Sequence, residues 1–422
     1  MMRAWIIAAL ALAGCGESAK DGAAAPASKA APVSAAPIAP ASAEALQKLA
    51  QAAEKLEATQ QFKDTVKDGK AIAQALGQEG EGMTNEQAEA LLVGLATCKV
   101  DDNGIDRECE ANKAWREARK NRGALVKDWG GMMAALGQKH VKHESPAVRI
   151  QAASLMGSIF GATNESQQAI VDAAKIEKDP QVLKAMLRSV SSSIKKNDAI
   201  RQLIVEQAGH PDEKVRMEVL GALTSSWAKD TEGTLEKALE LTEKDASAEV
   251  RQFGCRRLGE RADERALPLL LKLTADHKTD PKLYSACVRG LIAMWSAPVP
   301  HKDPSQKAYD ATLAIFKQKP RDENLPPWTA ISAVEWAAKD RFQQAAPWYK
   351  KADLVGVLAD IVADRQANWL SRTGALDAMQ RLGAEPAEFE KLKKAYADAK
   401  DKPGTDKHVL DKIEKILGGA EK

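Results

Sequence analysis

A chain of 422 residues, 28% charged and only 5% aromatic, is long enough for one extended array or for two domains. Its formal charge of +2 is spread as Lys and Arg interspersed with Asp and Glu, which leaves no basic face for nucleic acid. There is no Gly-rich phosphate loop, no Gly-x-Ser-x-Gly turn and no strand pattern to carry one. The six His are scattered. No catalytic residue and no cofactor is expected, and the chain reads as a non-enzyme.

Residues 1–14 read as a targeting leader. Arg3 supplies a positive charge and Ala4–Ala13 an apolar run, the length of a signal-peptide core and too short to span a bilayer. The run ends Leu12-Ala13-Gly14-Cys15, which resembles a bacterial lipobox. The resemblance implies that Cys15 becomes the mature first residue, carrying a diacylglycerol thioether and an amide-linked acyl chain such as palmitate. Each buried CH₂ adds roughly 0.8 kcal/mol, so two or three chains anchor stably. The next position is Gly16 rather than Asp, which implies the outer membrane, facing the periplasm. The alternative is an ordinary secretory signal with a chance Cys. No other apolar run is long, so the lipid is the expected membrane contact.

Residues 15–41 form an Ala/Pro/Ser-rich tether with Pro26, Pro32, Pro37 and Pro40. Such a segment cannot bury enough apolar surface to fold, and the prolines extend it. Residues 42–140 read as a smaller helical region, with amphipathic spacing over Glu44–Leu56, Phe62–Leu76 and Asn85–Ala96. The turn Asp101-Asp102-Asn103-Gly104 is acidic but lacks the ligand spacing of a calcium loop. Cys98 and Cys109 flank it and read as a disulfide outside the cytoplasm. Asn112–Val126 is a charged helix with Trp115 on its buried side, and Trp129, Met132 and Met133 continue the core.

Residues 141–300 repeat. Ser145-Pro146-Ala147-Val148-Arg149, Asp179-Pro180-Gln181-Val182, Pro211-Asp212-Glu213-Lys214-Val215-Arg216, Ser247-Ala248-Glu249-Val250-Arg251 and Asp280-Pro281-Lys282-Leu283 look alike. Anchors at Val148, Val182, Val215, Val250 and Leu283 are 34, 33, 35 and 33 residues apart, a period that means a helical solenoid. Eight places on stand Met156, Val190, Leu223, Leu258 and Leu291; twelve places on stand Phe160, Ile194, Trp227, Ala262 and Trp295. Small or apolar residues also hold the fourth and fifth places, so one buried stripe recurs. Pro at three starts suits a first helical turn, and Asp179, Asp245 and Asp280 are candidate acceptors there. Second helices are expected over Glu165–Glu177, Asp198–Ala208, Gly233–Lys244, Arg265–Ala275 and Ser305–Lys317. A lone pair exposes too much apolar surface, and stacking buries it.

The Pro-x-x-Val-Arg opening and the Ala/Leu-rich helix that follows resemble the HEAT-repeat family, in the short bacterial variety also seen in phycobilin lyases. The resemblance implies an all-α solenoid of stacked helix pairs, a scaffold that hosts many functions.

Four further features carry expectations. His140, His143 and Glu144 could ligate metal, as in a metal-dependent enzyme of the HEAT class, but they stand where a helix breaks, and a surface linker is the preferred reading. Cys255 and Cys287 fall one position out of register in neighbouring first helices, which favours free thiols over a bridge. Arg149, Arg216 and Arg251 recur after the anchor, suggesting a ladder against acids of the next repeat; a phosphate stripe is the rival, interrupted by Leu183 and Tyr284. Residues 301–422 hold degenerate helices, a further anchor at Leu370, and a cap over Phe389–Ala399 and His408–Leu417. Trp328, Trp336, Trp348, Tyr349 and Trp369 cluster there, for packing rather than binding.

The expectation is therefore a lipid-anchored scaffold in a bacterial envelope that holds a protein partner along its second-helix surface. Helix assignment puts Gln168, Asp172, Arg201, Glu206, Glu236, Glu240 and Lys272 on that surface. Their acidic balance favours a basic or polar partner. A purely structural envelope spacer is the remaining class.

Overall fold

The computed structural model of the protein describes residues 85–120, 129–157, 162–297, 303–400 and 404–420. The leader, Cys15, the tether and the helices expected over 44–56 and 62–76 lie outside them, as do Phe160 and His301.

The first described part holds α1 (Asn85–Gly94), α2 (Glu110–Lys120) and α3 (Trp129–His140). The acidic turn is the tip of a small antiparallel hairpin, β1 (Val100–Asp101) and β2 (Gly104–Ile105), closed by Gly104 at a left-handed φ of 101°. Cys98 and Cys109 are joined across its base, Cα–Cα 5.6 Å, as expected. Its tip residue Asp102 pairs with Lys214 and accepts a hydrogen bond from Gln181 Nε2 at 2.9 Å. The acidic loop thus clamps the hairpin onto two later repeats. Trp115, Met132 and Met133 are buried beside Leu92 and Leu95.

Five helix pairs follow. The first helices are α4 (Pro146–Met156), α6 (Pro180–Val190), α8 (Glu213–Leu223), α10 (Ala248–Arg261) and α12 (Pro281–Trp295). The second helices are α5 (Asn164–Ala174), α7 (Asp198–Glu206), α9 (Thr234–Lys244), α11 (Leu267–Leu273) and α13 (Gln306–Lys317). This is the all-α, HEAT-like solenoid read from the period.

Helix starts follow local chemistry. Asp179 Oδ1 accepts from Gln181 N (2.8 Å) and Val182 N (3.3 Å), Asp212 Oδ1 from Lys214 N (2.8 Å) and Val215 N (3.0 Å), and Asp280 Oδ1 from Leu283 N (3.0 Å). At α10 the cap is Ser247, whose Oγ accepts from Val250 N; Asp245, expected to serve there, lies two residues upstream and is used differently.

Every anchor and every residue eight places beyond it is buried, as are Ala153, Leu187, Leu220, Cys255 and Val288 at the fifth place. Three adjoining apolar cores tile the seam, over 88–155, 141–266 and 255–416. The twelfth place is less regular. Ile194 and Trp295 are buried, but Trp227 is 58% exposed, because α8 has already ended at Leu223 and Trp227 rides on a separate short turn.

The free thiols expected at Cys255 and Cys287 are instead a disulfide, Cα–Cα 4.6 Å. The one-position offset is absorbed by an unusually close crossing of α10 and α12. A Cβ placed on Gly259 would stand 2.1 Å from the Gly290 carbonyl oxygen, so only glycine permits the approach.

After α13 the repeats lose their register. α14 (Trp328–Ile331), α15 (Asp340–Ala345), α16 (Lys351–Ala363), α17 (Trp369–Arg381), α18 (Pro386–Ala395) and α19 (Thr405–Ala420) complete the described chain. Arg321, with its side chain fully buried, ties this part together through Asp360 (2.7 Å) and Asp364 (2.8 Å). Trp348 and Tyr349 pack against Tyr309 and Phe342, but Trp328 and Trp369 are half-exposed, so packing accounts for only part of the aromatic cluster.

Candidate functional site

The array has two rows of side chains that could serve a partner, one internal and one open. The internal row is the arginine ladder. Arg149 donates to the carbonyls of His143 (2.8 Å) and Glu144 (2.7 Å), and to Glu177 of the next repeat at 2.7 and 3.1 Å. Arg216 repeats this on His210 O (2.8 Å), Pro211 O (3.0 Å) and Asp245 (2.7 and 2.8 Å). Arg251 bonds Asp245 O at 2.7 Å and meets Asp280 only at 3.7 Å. Between them Leu183 takes the arginine position, and the next repeat there offers His210 in place of an acid. These guanidinium groups are consumed within the fold, which overturns the phosphate stripe and bears out the ladder.

The same geometry explains the histidine motif. The residue five before each of the first four anchors accepts the N–H of the residue two places on: His143 from Ser145 (3.0 Å), Glu177 from Asp179 (2.9 Å), His210 from Asp212 (3.1 Å) and Asp245 from Ser247 (2.8 Å). His143 is thus a helix-entry acceptor through Nδ1. Burial, with His140 and Arg149 alongside and Glu144 opposing, holds its pKa below the usual histidine value. The His140 ring lies 5.9 Å from that of His143, with its Nε2 2.8 Å from Glu89 on α1. Burial alone would raise Glu89, but hydrogen bonds from Lys139 and His140 outweigh it and lower its pKa. His140 and His143 are each engaged in this way, and no metal-holding cluster occurs among the described residues.

The seven residues assigned to a second-helix surface all lie on second helices. Gln168 and Asp172 are on α5, Arg201 and Glu206 on α7, Glu236 and Glu240 on α9, and Lys272 on α11. All but Arg201, which is half-buried, are exposed. They mainly hold one another or their neighbours: Gln168 with Asp172 (2.8 Å), Arg201 with Asp198 (2.8 Å), Glu206 with Gln202 (2.9 Å), Glu240 with Lys237 (2.6 Å), Lys272 with Glu243 (2.6 Å) and Glu236 with Arg265 (3.8 Å).

The open row was not singled out by the sequence. A cavity of about 310 Å³ lies between α10, α12 and the segment leading into α14, lined by Arg256, Lys282, Ser285, Arg289, Glu323 and Trp328 among others. Arg256 adjoins Cys255, and Arg289 follows Cys287 by two residues. The disulfide and the Gly259–Gly290 crossing therefore bring these two guanidinium groups side by side. Burial, with Arg289 next to it, lowers the pKa of Arg256. Trp328 is held at the rim by neighbours on both sides. Ser371 donates to Pro326 O at 2.9 Å, and Thr329 hydrogen-bonds Ser285. Asp322, in the same segment, pairs with His277 at 2.8 Å. One signal could have found the pair: Arg256 and Arg289 both stand six places beyond their anchors, in consecutive repeats.

No family model matches the chain, and no curated protein does. Among solved structures it is similar to Kap95p, from a study of its binding to RanGDP (TM-score 0.49, 14% identity, 79% of this chain and 45% of that one). It is also similar to Kap121p bound to Ste12p (TM-score 0.48, 12% identity, 88% of this chain and 40% of that one). The chain spans less than half the length of either.

Proposed function

We propose that this chain is a lipid-anchored scaffold outside the cytoplasm of a bacterium, holding a protein partner on its helix-pair array. The observation that supports the reading is the pair of disulfides, Cys98–Cys109 and Cys255–Cys287, in a chain whose Leu12-Ala13-Gly14-Cys15 resembles a lipobox. Bridges within an ordinary helical array suit an oxidising compartment. Lipid on Cys15 would fix the array at the envelope, and Gly16 favours the outer membrane. Among the described residues no helix is long and apolar enough to cross a membrane.

Binding is favoured over chemistry by what the histidines already do. His140 and His143 are engaged with Glu89 and with a helix start, which supports binding over a metal-dependent enzyme using His140, His143 and Glu144. Two measurements test the scaffold. Metabolic labelling with a fatty acid should mark the wild-type chain and not Cys15→Ser; labelling of neither defeats the anchor. In-cell crosslinking followed by mass spectrometry should return one reproducible partner. Recovery of none would leave a structural spacer, and stoichiometric iron or zinc lost on His143→Ala would restore the enzyme.

A further inference from the structure

We infer that the cavity between α10, α12 and Trp328 is a docking pocket for an acidic peptide segment of the partner, with Arg256 and Arg289 taking its carboxylates and Trp328 an adjacent apolar side chain. The inference rests on the scaffold reading and adds the chemistry of the partner to it.

Charge accounting comes first. Ten arginines stand between 145 and 295. Eight of them sit against a carboxylate: Arg149, Arg188, Arg201, Arg216, Arg251, Arg257, Arg261 and Arg265. Arg256 and Arg289 have no such partner among the described residues. The nearby Glu260 is already taken by Arg257. Like charges held together without a counter-charge repel, and half-burial of Arg256 increases the cost. The fold nevertheless forces them together, through a disulfide one residue from Arg256 and a glycine crossing that excludes any side chain. Lys282 adds a third cation to the same wall, against the single carboxylate of Glu323. A pocket so biased is complementary to negative charge.

The occupant is a peptide rather than a bare oxyanion for a second reason. One wall is Trp328, 49% exposed, on a segment pinned at Pro326 and at Thr329. Tryptophan and arginine are the side chains that most often dominate protein interfaces, since each offers a large rigid surface together with a polar edge. A phosphate ion would use the guanidinium groups and leave the indole idle. An acidic residue beside an apolar one would use both, and the guanidinium fork matches a carboxylate in two parallel hydrogen bonds.

The test uses the full chain purified in detergent and a fluorescein-labelled hexapeptide alternating Glu and Phe. Saturable binding is expected, weakened more than tenfold by Arg256→Glu with Arg289→Glu, and severalfold by Trp328→Ala. Binding should fall as salt rises. A hexapeptide with Gln for each Glu should bind at least tenfold more weakly. All three substituted side chains reach solvent, and circular dichroism verifies that the variants fold. Unchanged affinity in the double variant overturns the inference, as does absence of saturable binding to wild type. Full displacement by millimolar inorganic phosphate with no effect of Trp328→Ala also overturns it, leaving a simple oxyanion site. Crosslinking in cells separates the two proposals. A partner retained by the double variant sinks this pocket and spares the scaffold. No partner on wild type sinks the scaffold, with the inference that rests on it, even if the hexapeptide binds.

Discussion

Arg216 grips Asp245 of the following repeat with two parallel hydrogen bonds, Nε–Oδ2 at 2.7 Å and Nη2–Oδ1 at 2.8 Å, while its third edge holds two carbonyls of its own repeat. Both side chains are largely buried, so removing either strands the other. Arg216→Ala should cost about 2–3 kcal/mol in chemical denaturation. Arg251→Ala, which breaks a more open contact at 3.7 Å, should cost under about 1 kcal/mol beyond its lost carbonyl bond. Equal losses would mean that the ladder does not couple repeats as its geometry implies. Burial would raise Asp245, but Arg216 and Ser247 N–H outweigh it and depress its pKa below 3.8. The stability from this pair is therefore complete above the unfolded value and is lost as pH falls through the folded one.

His143 titrates in the opposite chemical sense but with the same direction of effect. Its folded pKa lies below 6.5, because burial and the neighbouring His140 and Arg149 disfavour the cation, and Glu144 only partly offsets them. The unfolded chain then binds a proton that the folded chain refuses. Stability from the neutral ring is complete above the unfolded value and declines as pH falls through the folded pKa. Protonation would also remove the Nδ1 acceptor used by Ser145 N–H. His143→Asn keeps an acceptor that does not titrate, so its melting temperature should change less than wild type between pH 7 and pH 5. Parallel curves for the two proteins would exclude His143 as the source.

Arg321 joins the irregular C-terminal helices to the array. Its side chain is fully buried against Asp360 and Asp364 and also donates to Phe316 O at 2.8 Å. Arg321→Ala leaves Asp364 without its cation and Asp360, already part-exposed, with Lys319 alone, and should destabilise by about 2–3 kcal/mol. Arg321→Met fills much of the volume and should still be destabilising, because Asp364 loses its counter-charge and Asp360 keeps only Lys319. Differential scanning calorimetry distinguishes this from a purely steric loss, in which Met would restore most of the stability.

How far these features could be read beforehand follows from their range along the chain. The helix pairs were legible because burial is enforced at fixed offsets: Leu223 and Leu258 fall on the same stripe whatever the loops do. The ladder was legible because Arg216 and Asp245 repeat with the period. Trp227 misled because an offset counts residues, whereas α8 had stopped four residues earlier. Cys255 and Cys287 misled because the register argument assumed an ordinary helix separation, and Gly259 and Gly290 remove it. The pocket needed both that crossing and the loop carrying Trp328, which arrives from about 40 residues further along and follows no period.

The two bridges close loops of different length, with separations of 11 and 32 residues. Loop-closure entropy assigns roughly 3 kcal/mol to the first and roughly 4 kcal/mol to the second. Reductant should lower the melting temperature of the wild type, and Cys255→Ala with Cys287→Ala should abolish the larger part of that shift. The same double variant should also weaken the hexapeptide, since it relaxes the Arg256–Arg289 pair, while Cys98→Ala with Cys109→Ala leaves it unchanged.

The close crossing itself can be tested with a single methyl group. Alanine at Gly259 would place its Cβ 2.1 Å from the Gly290 oxygen and 2.5 Å from the Gly290 Cα, both backbone atoms that cannot turn aside. α10 must then move off α12, and overpacking of this kind costs about 1–3 kcal/mol or more. The displacement would also carry Arg256 away from Arg289. Gly221, in α8, meets nothing within 4 Å, and alanine there should gain up to about 1 kcal/mol from helix propensity. Denaturation of Gly259→Ala and Gly221→Ala side by side should therefore give shifts of opposite sign. A neutral Gly259→Ala would show that the first helices can separate without loss, and the forced proximity of the two arginines would fall with it.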